Sequence, residues 1–194
     1  MKVKIFVIFA IIVFVILAGV VSFLFLGPKE KREQKPIQAP AIIPVSNMRI
    51  LSSAFTHNGT IPAKYTCDGE DVSPPFTISE VPSGAQSLVL IVDDPDAPGR
   101  TFVHWTLWNI NPQTTEIPED KIPEEAIEGL TDFGEKGYGG PCPPSGTHRY
   151  FFKLYALDTK LALENYLQKQ DIEKEIQGHI LAQSELIGLY SREK

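Results

Sequence analysis

Cysteine, histidine and methionine are scarce in this 194-residue chain, which has two Cys, four His and two Met. The scarcity removes whole classes of chemistry. Two cysteines cannot build a structural zinc tetrad, and there is no His-Glu-x-x-His pair for a catalytic one. No Gly-x-Ser-x-Gly elbow presents a nucleophilic serine. The acidic block around Asp94 is not a calcium loop, because the closing glutamate position counted from Asp94 holds Trp105. No internal repeat is visible.

An excess of positive charge is missing too. The chain carries 18 basic and 24 acidic residues, net −6. The imbalance is uneven: residues 1–36 hold six basic and two acidic residues, which leaves residues 37–194 at net −10. Such a surface repels nucleic acid and anionic lipid, so no nucleic-acid partner is expected. Any anion the domain binds must be captured by a local site.

What is abundant is apolar length at the N-terminus. Ile5 to Leu26 contains no charged residue. Those 22 residues, at about 1.5 Å each, span ~33 Å as a helix, the thickness of a bilayer core. A signal peptide has a shorter apolar run, of ~7–15 residues, so residues 1–26 read as a retained transmembrane anchor, with a cleavable signal peptide as the alternative. No Ala-x-Ala follows the run, Val20-Val21-Ser22 is only a weak cleavage site, and no cysteine lies nearby for lipidation. Lys and Arg counts on the two sides lean against export, but a tail of four residues ordinarily stays in the cytoplasm. The domain is therefore expected outside the membrane, anchored through residues 5–26 or secreted. Residues 27–47, with Pro28, Pro36, Pro40 and Pro44, form an extended linker.

Residues 48–194 form one mainly β domain with one or two peripheral helices. Ser87–Val92, Phe102–Ile110 and Tyr150–Ala156 are β-branched or aromatic runs bounded by turn residues. Ile180–Tyr190 alternates loosely and is ambiguous. One helix begins at Asp171 as N-cap, with Ile172, Ile176 and Ile180 on one face. Asn111–Tyr138, interrupted by prolines, reads as surface connection.

Three clusters carry candidate chemistry: the acidic turn Asp93-Asp94-Pro95-Asp96-Ala97-Pro98-Gly99, then Val103-His104-Trp105, then the Gly- and Pro-rich stretch Gly137–Tyr150. Singly, each has a bland reading as a turn, a core histidine or a loop. Together, Asp94-Pro95-Asp96-Ala97-Pro98 and Gly140-Pro141-Cys142-Pro143-Pro144 followed by His148-Arg149-Tyr150 resemble the two signature blocks of the phosphatidylethanolamine-binding proteins. Cys67-Asp68-Gly69, Ser73-Pro74-Pro75 and Gly178-His179-Ile180-Leu181 are similar to the prokaryotic, Raf-kinase-inhibitor-like branch. The resemblance covers roughly residues 48–192.

The resemblance implies an antiparallel β-sandwich-like fold with an anion pocket at one end, lined by Asp94, Asp96, His104, Pro143, Pro144, His148 and Tyr150. It also implies a non-enzymatic binder of a phosphate-bearing anion such as a phospholipid headgroup, without cofactor or metal, and inhibition of a protease or kinase in some members. Thr101 and Phe102 stand where animal members have an acidic residue and a tryptophan, and the loop before His148 is shorter, so pocket width is left open.

Residue chemistry points the same way. Imidazole N–H groups and a phenol are compact donors for phosphate oxygens. Carboxylates beside imidazoles fix their tautomer and raise their basicity, which leads one to expect ionisations above the ordinary histidine value of ~6.5. Arg149 alternates with His148 and Tyr150, which puts it on the opposite face as an ion-pair partner. Two alternatives are a metal bound by Asp94, Asp96, His104 and His148, and a small hydrolase using Asp94, His104 and His148. Outside the cytoplasm Cys67 and Cys142 are expected to form a disulfide; in a reducing compartment they are two buried thiols.

Overall fold

The computed structural model describes residues 47–163 and 167–192. The segment 5–26 and nearly all of the linker lie outside the described residues, and no described helix is long and apolar enough to cross a membrane. In chain order the elements are β1 (Arg49–Leu51), β2 (Gly59–Thr60), a 3-10 turn (Ala63–Tyr65), β3 (Phe76–Ser79), β4 (Ser87–Asp94), β5 (Phe102–Ile110), β6 (Glu116–Ile117), β7 (Ile127–Glu128), β8 (Thr147–Leu157), α1 (Lys169–Glu175) and β9 (Ile180–Ser191). A three-stranded sheet has the order β1-β3-β6, and a six-stranded sheet has the order β2-β9-β8-β4-β5-β7. All pairings are antiparallel except β2 with β9.

The apolar run Leu88–Val92 is tolerable in a strand only if both faces are covered. They are. Leu88, Leu90 and Val92 join Ile50, Phe76, Ile78 and Ile117 of the small sheet in one core. Val89 and Ile91 turn the other way, onto Trp108, Leu157, Leu161, Ile172 and Ile176. A seven-residue helix is marginal alone. α1 persists because Ile172 is fully buried, worth roughly 1.5–3 kcal/mol, and because Lys169 reaches the buried carboxylate of Asp93.

Three sequence expectations are corrected here. The helix starts before Asp171. Gln168 is the N-cap, and Asp171 sits at N3 of a capping box, accepting the Gln168 N–H at 3.2 Å. The helix also ends by Ile176, so Ile180 opens β9 instead of continuing the helical stripe. The acidic block is not wholly a turn, because β4 runs through Asp94. Asp93 and Asp94 therefore point to opposite faces: Asp93 pairs with Lys153 and Lys169, and Asp94 meets His148. The ambiguous C-terminal segment is a full strand paired along β8.

Candidate ligand-binding site

Three strands deliver the site. On β8, alternation buries His148, Tyr150 and Phe152 on one face and leaves Arg149 exposed on the other. On β4, Asp94 ends the strand on that same inner face. β5 needs a device, since Trp105 packs in the core and simple alternation would send its neighbour His104 outward. The β4–β5 register pairs Val92 with Trp105 and Asp93 with Val103, so His104 is an extra residue in a β-bulge. Bulges re-aim side chains in this way, and both His104 and Trp105 are buried.

Asp94, His104, His148 and Tyr150 line a cavity of about 300 Å³ together with Ala97, Pro98, Phe102, Phe133, Cys142, Pro143 and Pro144. His148 Nδ1 lies 2.6 Å from Asp94 Oδ2, and the other Asp94 oxygen accepts the Asp96 N–H at 2.8 Å. His104 Nδ1 is 2.7 Å from the Gly139 carbonyl, so Nδ1 carries the proton and donates it there. With both Nδ1 atoms engaged, Nε2 is the nitrogen each ring offers to a ligand. The Tyr150 ring stands edge-on to His104 at 5.2 Å and stacks on His148 at 6.5 Å. Its hydroxyl is buried; the Cys142 main-chain N–H lies on the acceptor side of the oxygen, and the hydroxyl proton meets no acceptor.

The sequence profile described as "Phosphatidylethanolamine-binding protein" matches residues 51–191. The chain belongs to this family. A relative from Methanothermobacter thermautotrophicus is 49% identical over 150 residues, covering 75% of this chain and 99% of the relative. Among solved structures, the phosphatidylethanolamine-binding-protein homologue CT736 from Chlamydia trachomatis is 41% identical with a TM-score of 0.73, covering 75% of this chain and 98% of that one. E. coli YbcL, described as a new member of the mammalian family, is 31% identical with a TM-score of 0.72, covering 76% and 100% respectively. As a member of the phosphatidylethanolamine-binding protein family, the chain is a small binding protein.

Six of the seven residues expected at the pocket line the cavity; Asp96 does not. Its carboxylate is taken by Arg149, through the guanidinium at 2.7 and 2.8 Å and the main-chain N–H at 3.0 Å. Those hydrogen bonds hold the Asp96 carboxyl down at about 2, against a smaller opposing effect of burial. Phe102 and Phe133 complete the wall that sequence reasoning did not assign. Phe133, 49% exposed, stands edge-on to Phe102 at 4.9 Å and to His104 at 5.5 Å. It comes from a proline-interrupted connection with no pattern to mark it.

The electrostatics reverse one expectation. Burial pushes the His104 ionisation down, more than the Gly139 carbonyl and the nearby carboxylates raise it. Burial also drives the Tyr150 phenol well up, with Asp94 adding to the effect, so the hydroxyl stays protonated and remains a donor.

The wall is anchored from the far side. Cys67 and Cys142 are bridged, with Cα atoms 5.5 Å apart. The bridge closes a 75-residue separation, for ~4 kcal/mol in the chain-entropy model. Gly140 donates to Asp71 at 2.7 Å and Tyr138 donates to the Tyr65 carbonyl at 2.9 Å. A Cβ at Gly140 would run into the Tyr65 carbonyl and the Asp71 carboxylate, so only glycine allows this approach. Among the described residues no three His, Cys, Asp or Glu side chains converge as a metal site.

Proposed function

We propose that the domain binds a small anion, phosphate-bearing or similar, in the cavity between β4, β5 and β8. The buried Tyr150 hydroxyl, whose proton meets no acceptor, carries this reading. A buried donor left unused calls for a physical reason. A ligand oxygen accepting the Tyr150 proton supplies one. His148 fits the same role: Asp94 already holds Nδ1, so a proton on Nε2 makes a charged donor whose countercharge is in place. His104, kept neutral by its surroundings, accepts a proton at Nε2 from solvent as the anion enters. Anion capture is thereby coupled to proton uptake. Prolines at 143 and 144 hold the wall with little ordering cost on binding.

The hydrolase alternative finds no support. Neither a serine hydroxyl nor a free thiol is available in the wall, since Cys142 is bridged and Ser145 does not line the cavity. The 22 uncharged residues of the segment 5–26 support a membrane tether, and the four-residue tail before them, kept in the cytoplasm, puts the domain on the extracytoplasmic side. There a protein target would be a protease and not a cytosolic kinase.

Imidazole ¹⁵N NMR of the full chain in maltoside micelles tests the anion reading. Added phosphate is expected to move the Nε2 resonances of His104 and His148 saturably and leave those of His57 and His179 in place. Unmoved resonances at millimolar phosphate contradict it.

A further inference from the structure

The Cys67–Cys142 bridge borders the cavity through Cys142 and lies outside the core. Cys142 is exposed and lines the cavity, while Cys67 is half-buried. Exposed disulfides are the ones open to thiol exchange, in contrast with buried structural bridges. Apart from the bridge, the segment it fastens has one attachment of its own, the Cys142 main-chain N–H beside the Tyr150 oxygen. Upstream, Gly139 exchanges hydrogen bonds with His104, Gly140 holds Asp71, and the Pro141 carbonyl accepts from Cys67. Downstream, β8 begins at Thr147. Between them run Cys142, Pro143, Pro144, Ser145 and Gly146. The two prolines have no N–H to donate, and Gly146 adopts a φ of 72° open to glycine alone at little cost. Pro143 and Pro144 nevertheless form one wall of the cavity.

We propose that this bridge is a redox-controlled tether of the cavity wall, so that a dithiol reductant lowers ligand affinity by releasing Cys142–Gly146. The proposal rests on the anion-binding reading for its ligand. In the exchange, a thiolate of the reductant attacks one bridge sulfur and forms a mixed disulfide. Its second thiol then resolves that intermediate. Two electrons and two protons pass to the protein, leaving Cys67 and Cys142 as thiols and the reductant as a disulfide. The donors His104, His148 and Tyr150 stand on β5 and β8, strands to which neither bridge cysteine belongs, so reduction opens the site without dismantling it. A wall that keeps its closed position about one tenth of the time weakens binding about tenfold. Coupling is reciprocal, so bound anion protects the bridge, and a tenfold effect equals a shift of about 30 mV toward more reducing potentials.

The test uses the full chain in maltoside micelles with phosphoethanolamine as the probe. Its affinity is measured for the oxidised protein, for protein held reduced by a dithiol, and for the double variant Cys67→Ser, Cys142→Ser. Backbone hydrogen exchange is followed in parallel without ligand. The expected result is about tenfold weaker binding in both bridge-free forms, with faster exchange confined to residues near 142–148. The dithiol midpoint is also expected to fall by about 30 mV when the probe is saturating. Equal affinity with and without the bridge overturns the proposal, as does reduction that proceeds only by global unfolding with loss of near-UV circular dichroism. If the probe binds no form, the anion reading fails, and hydrogen exchange alone decides the tether: unchanged protection at 142–148 after reduction refutes it.

Discussion

Asp94 and His148 meet across the adjacent strands β4 and β8, with Nδ1 2.6 Å from Oδ2 and both side chains buried. Asp94 thus sets the tautomer of the ring and supplies the countercharge for a proton on Nε2. Asp94→Ala strips a buried ring of its partner and is expected to cost ~1–3 kcal/mol in urea denaturation, together with anion affinity. Asp94→Asn still accepts the Nδ1 proton through its amide oxygen but turns its NH2 toward the Asp96 N–H. It is expected to recover part of the stability but not the affinity, because the countercharge is gone. Full recovery of both would mean that the carboxylate serves packing alone.

Tyr150→Phe separates a site residue from a core residue. The hydroxyl proton has no acceptor, while the oxygen faces the Cys142 N–H, so deleting the hydroxyl is expected to change stability by no more than about 1 kcal/mol. Anion affinity is expected to fall about 3- to 10-fold, the equivalent of ~0.5–1.5 kcal/mol for a neutral hydrogen bond. A loss of stability with unchanged affinity, read by denaturation and calorimetry, would assign the hydroxyl to the fold instead.

The depressed ionisation of His104 fixes the sign of a pH effect on stability. Below its ordinary value of ~6.5 the unfolded chain takes up a proton that the folded protein refuses, so this residue's contribution is lost as pH falls from ~6.5 toward the lower folded value. Urea denaturation at pH 7.5, 6.5 and 5.5 is expected to show stability falling more steeply in the wild type than in His104→Gln. Parallel slopes would contradict the burial argument.

Asp96 and Arg149 form an exposed pair apart from the cavity. Arg149→Ala is expected to cost little stability, as exposed ion pairs do, and to leave anion affinity within about twofold. The Asp96 carboxyl is held at about 2. Its contribution is therefore complete above the ordinary aspartate value of ~3.9 and is lost as pH falls through about 2. A large affinity loss in Arg149→Ala would return Asp96 to the site.

How far the sequence discloses the site differs by strand. The period of two along β8 is enough to put His148 and Tyr150 on one face and Arg149 on the other, because both faces of that strand follow simple alternation. The same rule fails on β5, where the bulge at His104 depends on how two strands register, a property of neither strand alone. Asp93 and Asp94 look equivalent in the chain. Their division between Lys153 and Lys169 on one side and His148 on the other follows from pairings 54 to 76 residues away. Phe133 and the Arg149 grip on Asp96 are likewise tertiary outcomes. The start of α1 was missed because Gln168 is a weak N-cap by type, and only its reciprocal bonding with Asp171 reveals it.

Calorimetric titration of phosphoethanolamine into the full chain and its His148→Ala and Tyr150→Phe variants, each in two buffers of different ionisation enthalpy, tests the central claim most directly. The expected result is one-site binding with net proton uptake, weakening as pH rises. His148→Ala is expected to lower affinity about 10- to 150-fold, the equivalent of ~1.5–3 kcal/mol for a charge-assisted hydrogen bond, and Tyr150→Phe to lower it less. Equal affinity in all three proteins, or binding without proton uptake, would contradict an anion held by these side chains.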